Sequence, residues 1–151
     1  MKQKISLGQA EVTDVVMPGQ TNHYGNFFGG LLVAQMDKTA GIAATRYCQT
    51  DNVTASIGKI VFTKPVRLGE VVVTHARVTY VGKTSMLLKV TAHSENPKGE
   101  RKEVVESAYM VFVAIEKNGK PKSVPEPVLE TKEERELFEE GRMIKETMLK
   151  D

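Results

Sequence analysis

Residues Leu31 to Cys48 form an almost wholly apolar segment of helical length, and few folds can accommodate one. Leu31, Leu32, Val33, Ala34, Met36, Ala40, Ile42, Ala43 and Ala44 cover every side of a helix drawn through them, whereas a surface helix shows a polar face. The helix is therefore expected to be buried, together with the one carboxylate near its start, Asp37. A buried carboxylate is costly unless paired, and the positions three and four residues away are Val33, Ala34, Ala40 and Gly41, none of them a cation. Two readings stay open: an Asp37 satisfied by a distant Lys or Arg or by a gap in the core, and an Asp37 kept for chemistry.

The residues before this helix favour the second. A turn-prone loop (Pro18, Gly19, Asn22, Gly25, Asn26) runs into Gly29-Gly30, which places bare backbone N–H groups at the positive end of the helix dipole. Asp37 lies seven residues beyond Gly30, two turns on, and so shares its face. Donors for a developing oxyanion and a carboxylate on one stripe suit acyl transfer. On spacing alone, Asn22 is equally a turn former and the glycine pair equally a tight joint between loop and helix.

At 151 residues, 40% of them hydrophobic, the chain is expected to be one domain with a core that needs no staples. A single cysteine, Cys48, excludes an internal disulfide and suits a reducing, cytoplasmic compartment. A net charge of +2, alternating basic and acidic residues and the absence of Trp argue against a nucleic-acid partner. The first residues lack the apolar stretch of a leader, and no run approaches membrane-spanning length, so no membrane association is expected. His23, His75, His93 and Cys48 show no metal-ligand spacing.

Along the chain, strand signals cover 5–16, then Val53–Thr63, Val71–Val81, Thr84–Ser94 and Val104–Ile115. Turns fall at Gly82-Lys83 and at Asn96–Gly99. A proline-spaced linker (Pro121, Pro125, Pro127) leads to a charged helix from Thr131, where Glu134 completes a capping box. The expected class is α+β: a curved antiparallel sheet wrapped around one long helix (residues 1–127), plus a C-terminal helix (128–151) that packs on the domain or on a neighbouring subunit. One curved sheet leaves a helix flank open beside Asp37, so at least a dimer with interfacial sites is expected.

Three stretches, MPGQTNHYGNFFGGLLVAQMDKTAGIAA, VTASIGKIVFTKPVRLGE and VGKTSMLLKV, resemble the hotdog-fold acyl-CoA thioesterases, in particular the group with bacterial short-to-medium-chain enzymes and the cytosolic brain type. The resemblance covers roughly residues 8–127. It implies a hydrolase that releases free coenzyme A and a carboxylic acid and needs no cofactor beyond the coenzyme A carried by its substrate. It further implies homo-oligomers built from dimers, as tetramers or hexamers. By this likeness Asp37 is the general base or nucleophile, and Asn22 orients water or substrate from the facing subunit. Gly29 and Gly30 polarise the thioester carbonyl, while Lys83, Thr84 and Ser85 lie along coenzyme A. Ser56, Lys64 and Arg101 are further candidates for substrate contact. Phe28 departs from the histidine that many relatives carry before the glycine pair. Two rivals remain: an acyl-thioester dehydratase or hydratase, which would want a catalytic His where only His23 is near, and a non-enzymatic acyl-CoA sensor.

Overall fold

The structure is a computed structural model that describes residues 1–149. Its elements are β1 (Lys2–Lys4), β2 (Gln9–Val15), α1 (Gly29–Cys48), β3 (Asn52–Ile57), β4 (Val71–Val81), β5 (Ser85–Glu95), β6 (Arg101–Ala114), β7 (Glu126–Val128) and α2 (Lys132–Leu149). Five of the strands make one antiparallel sheet in the order β2-β4-β5-β6-β3, and β1 pairs in parallel with β7. Of the expected first strand over 5–16, only Gln9–Val15 is a strand: Ile5–Leu7 form a 3-10 turn, and Lys2–Lys4 before them pair with a segment expected to be linker.

The sheet curls around α1 because its two faces differ. On β5, Met86, Leu88, Val90 and Ala92 alternate toward the helix and join the core with Met36, Ala40, Ala43, Ala44 and Tyr47 of α1. A buried hydroxyl of Tyr47 donates to the Pro125 carbonyl at 2.6 Å, tying the helix end to the segment before β7.

The other face is covered by α2. A Cβ added at Gly141 would stand 2.9 Å from Tyr80 Cβ, 3.1 Å from Thr79 Oγ1 and 3.2 Å from Leu87 Cδ2, so α2 rests on β4 and β5 through bare backbone. The register of β4 on β5 slips between Val78 and Tyr80, which turns Thr79 and Tyr80 together toward α2. At the helix start the Glu134 N–H donates to Thr131 Oγ1, the half of the capping box that the sequence implies, while the Glu134 carboxylate accepts from the Glu130 N–H, one residue before the cap.

One expectation needs correction: α1 is not buried on every side. Leu31, Ala34, Lys38, Ile42, Thr45 and Arg46 are exposed along one face, and Asp37 is half-buried at its border. Five strands suffice to wrap only one flank of a helix this long. The edge strand β3 is equally open, with Val53 and Ile57 exposed.

Candidate functional site

Asp37 lies on α1 where the exposed helix face meets β3. The Thr54 hydroxyl donates to Asp37 Oδ1 at 2.7 Å, and among the described residues Asp37 forms no ion pair. Both residues line an open groove of about 790 Å³ between α1 and β3, with Gly41, Ile42, Val53 and Phe112 among its walls. A carboxylate held by one hydroxyl, beside a largely apolar groove, keeps a free oxygen for a water or a substrate carbon.

Thr54 escaped the sequence reading, which singled out Ser56 instead. The register of β3 on β6 explains why. Thr54 pairs with Phe112, but after a bulge Ser56 pairs with Val111, and Ala55 has no partner. Val111 is also the partner of Leu87, the residue that meets Gly141 of α2, so Ser56 belongs to the outer face and not to the groove. Unbroken alternation would have placed Thr54 and Ser56 on the same side.

At the start of α1, Phe28 provides no side-chain cap, so the first-turn N–H groups of Gly29 and Gly30 are left to an outside acceptor. Gly29 borders a separate slot of about 190 Å³ with Asn26, Phe62, Lys64 and Val104. Gly30 and Asp37 share a helical stripe, yet seven residues of helix separate them by about 10 Å. Within one chain they cannot hold the same carbonyl. Asn22 is built into the loop: its Oδ1 accepts from the N–H groups of Tyr24 and Asn26, and it does not line the groove.

Lys83, Thr84 and Ser85 form the β4–β5 hairpin, with Lys83 exposed and Ser85 buried beneath α2. Lys145 of α2 donates to Ser85 Oγ and stands 5.5 Å from the centre of the Tyr80 ring. Burial holds the Lys145 ammonium below its usual pKa. Arg101 is not near this hairpin: it pairs with Glu95 at the far end of β5, its Nε bonded to Glu103 at 2.8 Å. Ten residues of strand, about 34 Å, lie between the Ser85 and Glu95 ends. Lys64 sits at the Gly29 slot, away from both.

Comparisons with known proteins converge on one family. The Thioesterase superfamily model matches residues 24–100. An uncharacterized acyl-CoA thioester hydrolase of Bacillus subtilis is 38% identical over 122 residues, covering 81% of this chain and 71% of the relative. The cytosolic acyl coenzyme A thioester hydrolase of Mus musculus is 33% identical over 91% of this chain, which spans 37% of that relative's length. Among solved structures, an apo-hexameric acyl-CoA thioesterase superposes with a TM-score of 0.92 at 33% identity, covering 99% of this chain and 96% of its own. An acyl-CoA hydrolase from Staphylococcus aureus, in complex with butyryl coenzyme A and coenzyme A, gives 0.87 at 29% identity, covering 97% and 90%. Structures of three alanine variants of the Staphylococcus enzyme alter an Asn, an Asp and a Thr at the same intervals along the chain as Asn22, Asp37 and Thr54 here. No described helix is long and apolar enough to cross a membrane.

Proposed function

This chain belongs to the thioesterase superfamily, and on that premise we propose that it hydrolyses acyl-CoA thioesters to a carboxylic acid and free coenzyme A, with Asp37 as the catalytic carboxylate. The observation that carries the proposal is the Thr54–Asp37 hydrogen bond at the mouth of the groove. The matching Asn, Asp and Thr intervals in an enzyme that binds butyryl coenzyme A support it.

Geometry sets how the parts work together. A thioester carbon must lie within about 3 Å of both its oxyanion donors and its attacking group. The separation of about 10 Å along α1 rules this out in one protomer. Two protomers related by a two-fold axis answer the problem: the Gly29 and Gly30 amides of one hold the carbonyl oxygen while Asp37 of the other faces the carbon. The open helix face and the unpaired β3 edge are the surfaces such a dimer would cover. The hexameric state of the apo thioesterase relative supports a homo-oligomer built from these dimers.

In the hydrolytic step a water attacks the thioester carbon and its proton passes to the Asp37 carboxylate. The carbonyl oxygen takes up negative charge against the helix-start amides, each such donor contributing on the order of 3 kcal/mol. The tetrahedral intermediate then expels the thiolate, which takes the proton held by Asp37 as the C–S bond breaks and so restores the carboxylate. Direct attack by Asp37 through an anhydride uses the same contacts. Thr54 fixes the carboxylate rotamer, and the unused Nδ2 donors of Asn22 serve a water or the substrate from across the interface. Exposed Lys83 and the adjoining Thr84 flank the coenzyme, which enters as part of the substrate, while Ser85, buried beneath α2, shapes the hairpin from below; no separate cofactor is required. The cytosolic naming of the mouse relative supports a cytoplasmic site of action.

Free-thiol release from acetyl-, butyryl- and longer acyl-CoAs, followed with a chromogenic reagent, tests the proposal. Thiol release that is lost in Asp37→Ala, in a protein of unchanged circular dichroism, is expected. Tight acyl-CoA binding with no turnover would make the chain a sensor, and water addition to an enoyl-CoA would make it a hydratase.

A further inference from the structure

The face that α2 turns to the sheet runs Phe138, Gly141, Lys145 and Met148, the spacing of a packed helical stripe. Phe138 stacks on Tyr80 with ring centres 4.7 Å apart, Gly141 rests on Tyr80, and Met148 lies against Gly58. Between them, where an apolar residue would seal the contact, stands a lysine.

Lys145 is partly buried, and among the described residues it forms no ion pair. Its ammonium has the Ser85 hydroxyl as acceptor and the Tyr80 ring centre 5.5 Å away. Burial holds its pKa below the usual value, so the charge is kept there at a cost. Gly82 makes its seat: a Cβ at that position would stand 2.7 Å from Lys145 Nζ and 3.0 Å from Ser85 Oγ. The end of α2 and the β4–β5 hairpin are thus fitted to each other around one charge.

The same hairpin carries Lys83 and Thr84. The Gly82 N–H closes it by donating to the Ser85 carbonyl at 2.9 Å. Main-chain bonds tie it on the side away from α2, where Ala114 N–H donates to the Thr84 carbonyl and Val124 N–H to the Lys83 carbonyl, each at 2.9 Å. Toward α2 its tie is the Lys145–Ser85 contact.

We infer that Lys145 is a positioning residue for coenzyme binding: through Ser85 it holds the hairpin in the shape in which Lys83 and Thr84 meet the coenzyme. The inference rests on the hydrolase reading above and adds α2 to its binding machinery. Lys145 itself touches no substrate. Contacts to the coenzyme are alike in the ground state and the transition state, so a loosened hairpin weakens binding and leaves the chemical step alone.

The test uses Lys145→Met, which keeps an unbranched stem and loses the ammonium, Ser85→Ala, and the two combined. KM for acetyl-, butyryl- and decanoyl-CoA is expected to rise about three- to tenfold in each variant, with kcat near wild type. The factor is expected to be the same for every chain length, and for the calorimetric Kd of free coenzyme A. The double variant is expected to match either single one, since both break the same contact. A merely structural role would lower the folded fraction, which reduces apparent kcat and leaves KM in place. Where Lys145→Met does not fold, Ser85→Ala decides the matter by the same ratios. Unchanged KM and Kd in folded variants, or single effects that multiply in the double variant, overturn the positioning role and leave the hydrolase standing. A wild-type protein that releases thiol from no acyl-CoA overturns both.

Discussion

Gly141 stands midway along α2, where alanine in place of glycine would ordinarily stabilise the helix by about 0.5–1 kcal/mol. Here the new methyl group would lie 2.9 Å from Tyr80 Cβ, closer than real Cβ atoms come, and tight against Thr79 Oγ1 and Leu87 Cδ2. The Tyr80 contact is the decisive one, because a Cβ is fixed by its own backbone and no rotamer change can move it. Relief requires α2 to lift off the sheet or β4 to recede. Overpacking of this kind costs about 1–3 kcal/mol, which set against the helix gain of about 0.5–1 kcal/mol leaves a net loss of up to about 2 kcal/mol. For a chain of this size that is a fall in Tm of a few degrees. Urea denaturation of wild type and Gly141→Ala, with the slope checked for constancy, measures the difference. A Gly141→Ala protein more stable than wild type by the amount expected for a free helix would refute the close seating of α2 on Thr79, Tyr80 and Leu87.

Thr54→Val removes the donor to Asp37 while keeping shape, and hydrogen bonds to charged groups contribute about 1.5–3 kcal/mol. At this exposed site the lower end applies, so kcat should fall about tenfold with KM little changed, a split that steady-state kinetics resolves. Tyr47→Phe leaves the Pro125 carbonyl without its buried donor and should lower stability by about 1–3 kcal/mol in the same urea assay. His75 is held below its usual pKa by burial, against an upward pull from the Glu11 carboxylate, while Arg77 adds to the lowering. The unfolded chain then binds a proton near pH 6.5 that the folded chain declines, so stability should drop as pH falls below that value. His75→Gln should flatten the drop in urea midpoints measured between pH 7 and pH 5.

Periodicity made the helix, β4, β5 and their hairpin readable, since Met86, Leu88, Val90 and Ala92 alternate along β5 and α1 carries an apolar run of helical length. The capping box at Thr131 was equally plain, being a local pattern of side chain and backbone. What escaped was set by bulges and by distant pairing. A bulge at Ala55 gave the contact with Asp37 to Thr54 rather than Ser56, and nothing in the side chains of residues 53–57 marks it. The parallel partnership of Lys2–Lys4 with Glu126–Val128 joins segments that carry no strand signal of their own. Enclosure of α1 was overestimated because composition reports what a surface would bury, not how many strands are available to bury it. Arg101, a candidate for substrate contact, lies at the opposite end of β5 from the hairpin, which only the extent of β5 and β6 reveals.

That pairing of β1 with β7 has a bearing on how the molecule is made. Lys2 is translated well before its ladder partner Glu126. Until that partner emerges, Lys2–Lys4 have nowhere in the ladder to dock. The seam can close only once the intervening sheet has been laid down, since closing so long a loop earlier would forfeit entropy with no contacts to offset it. This seam is thus among the last contacts of the domain to form.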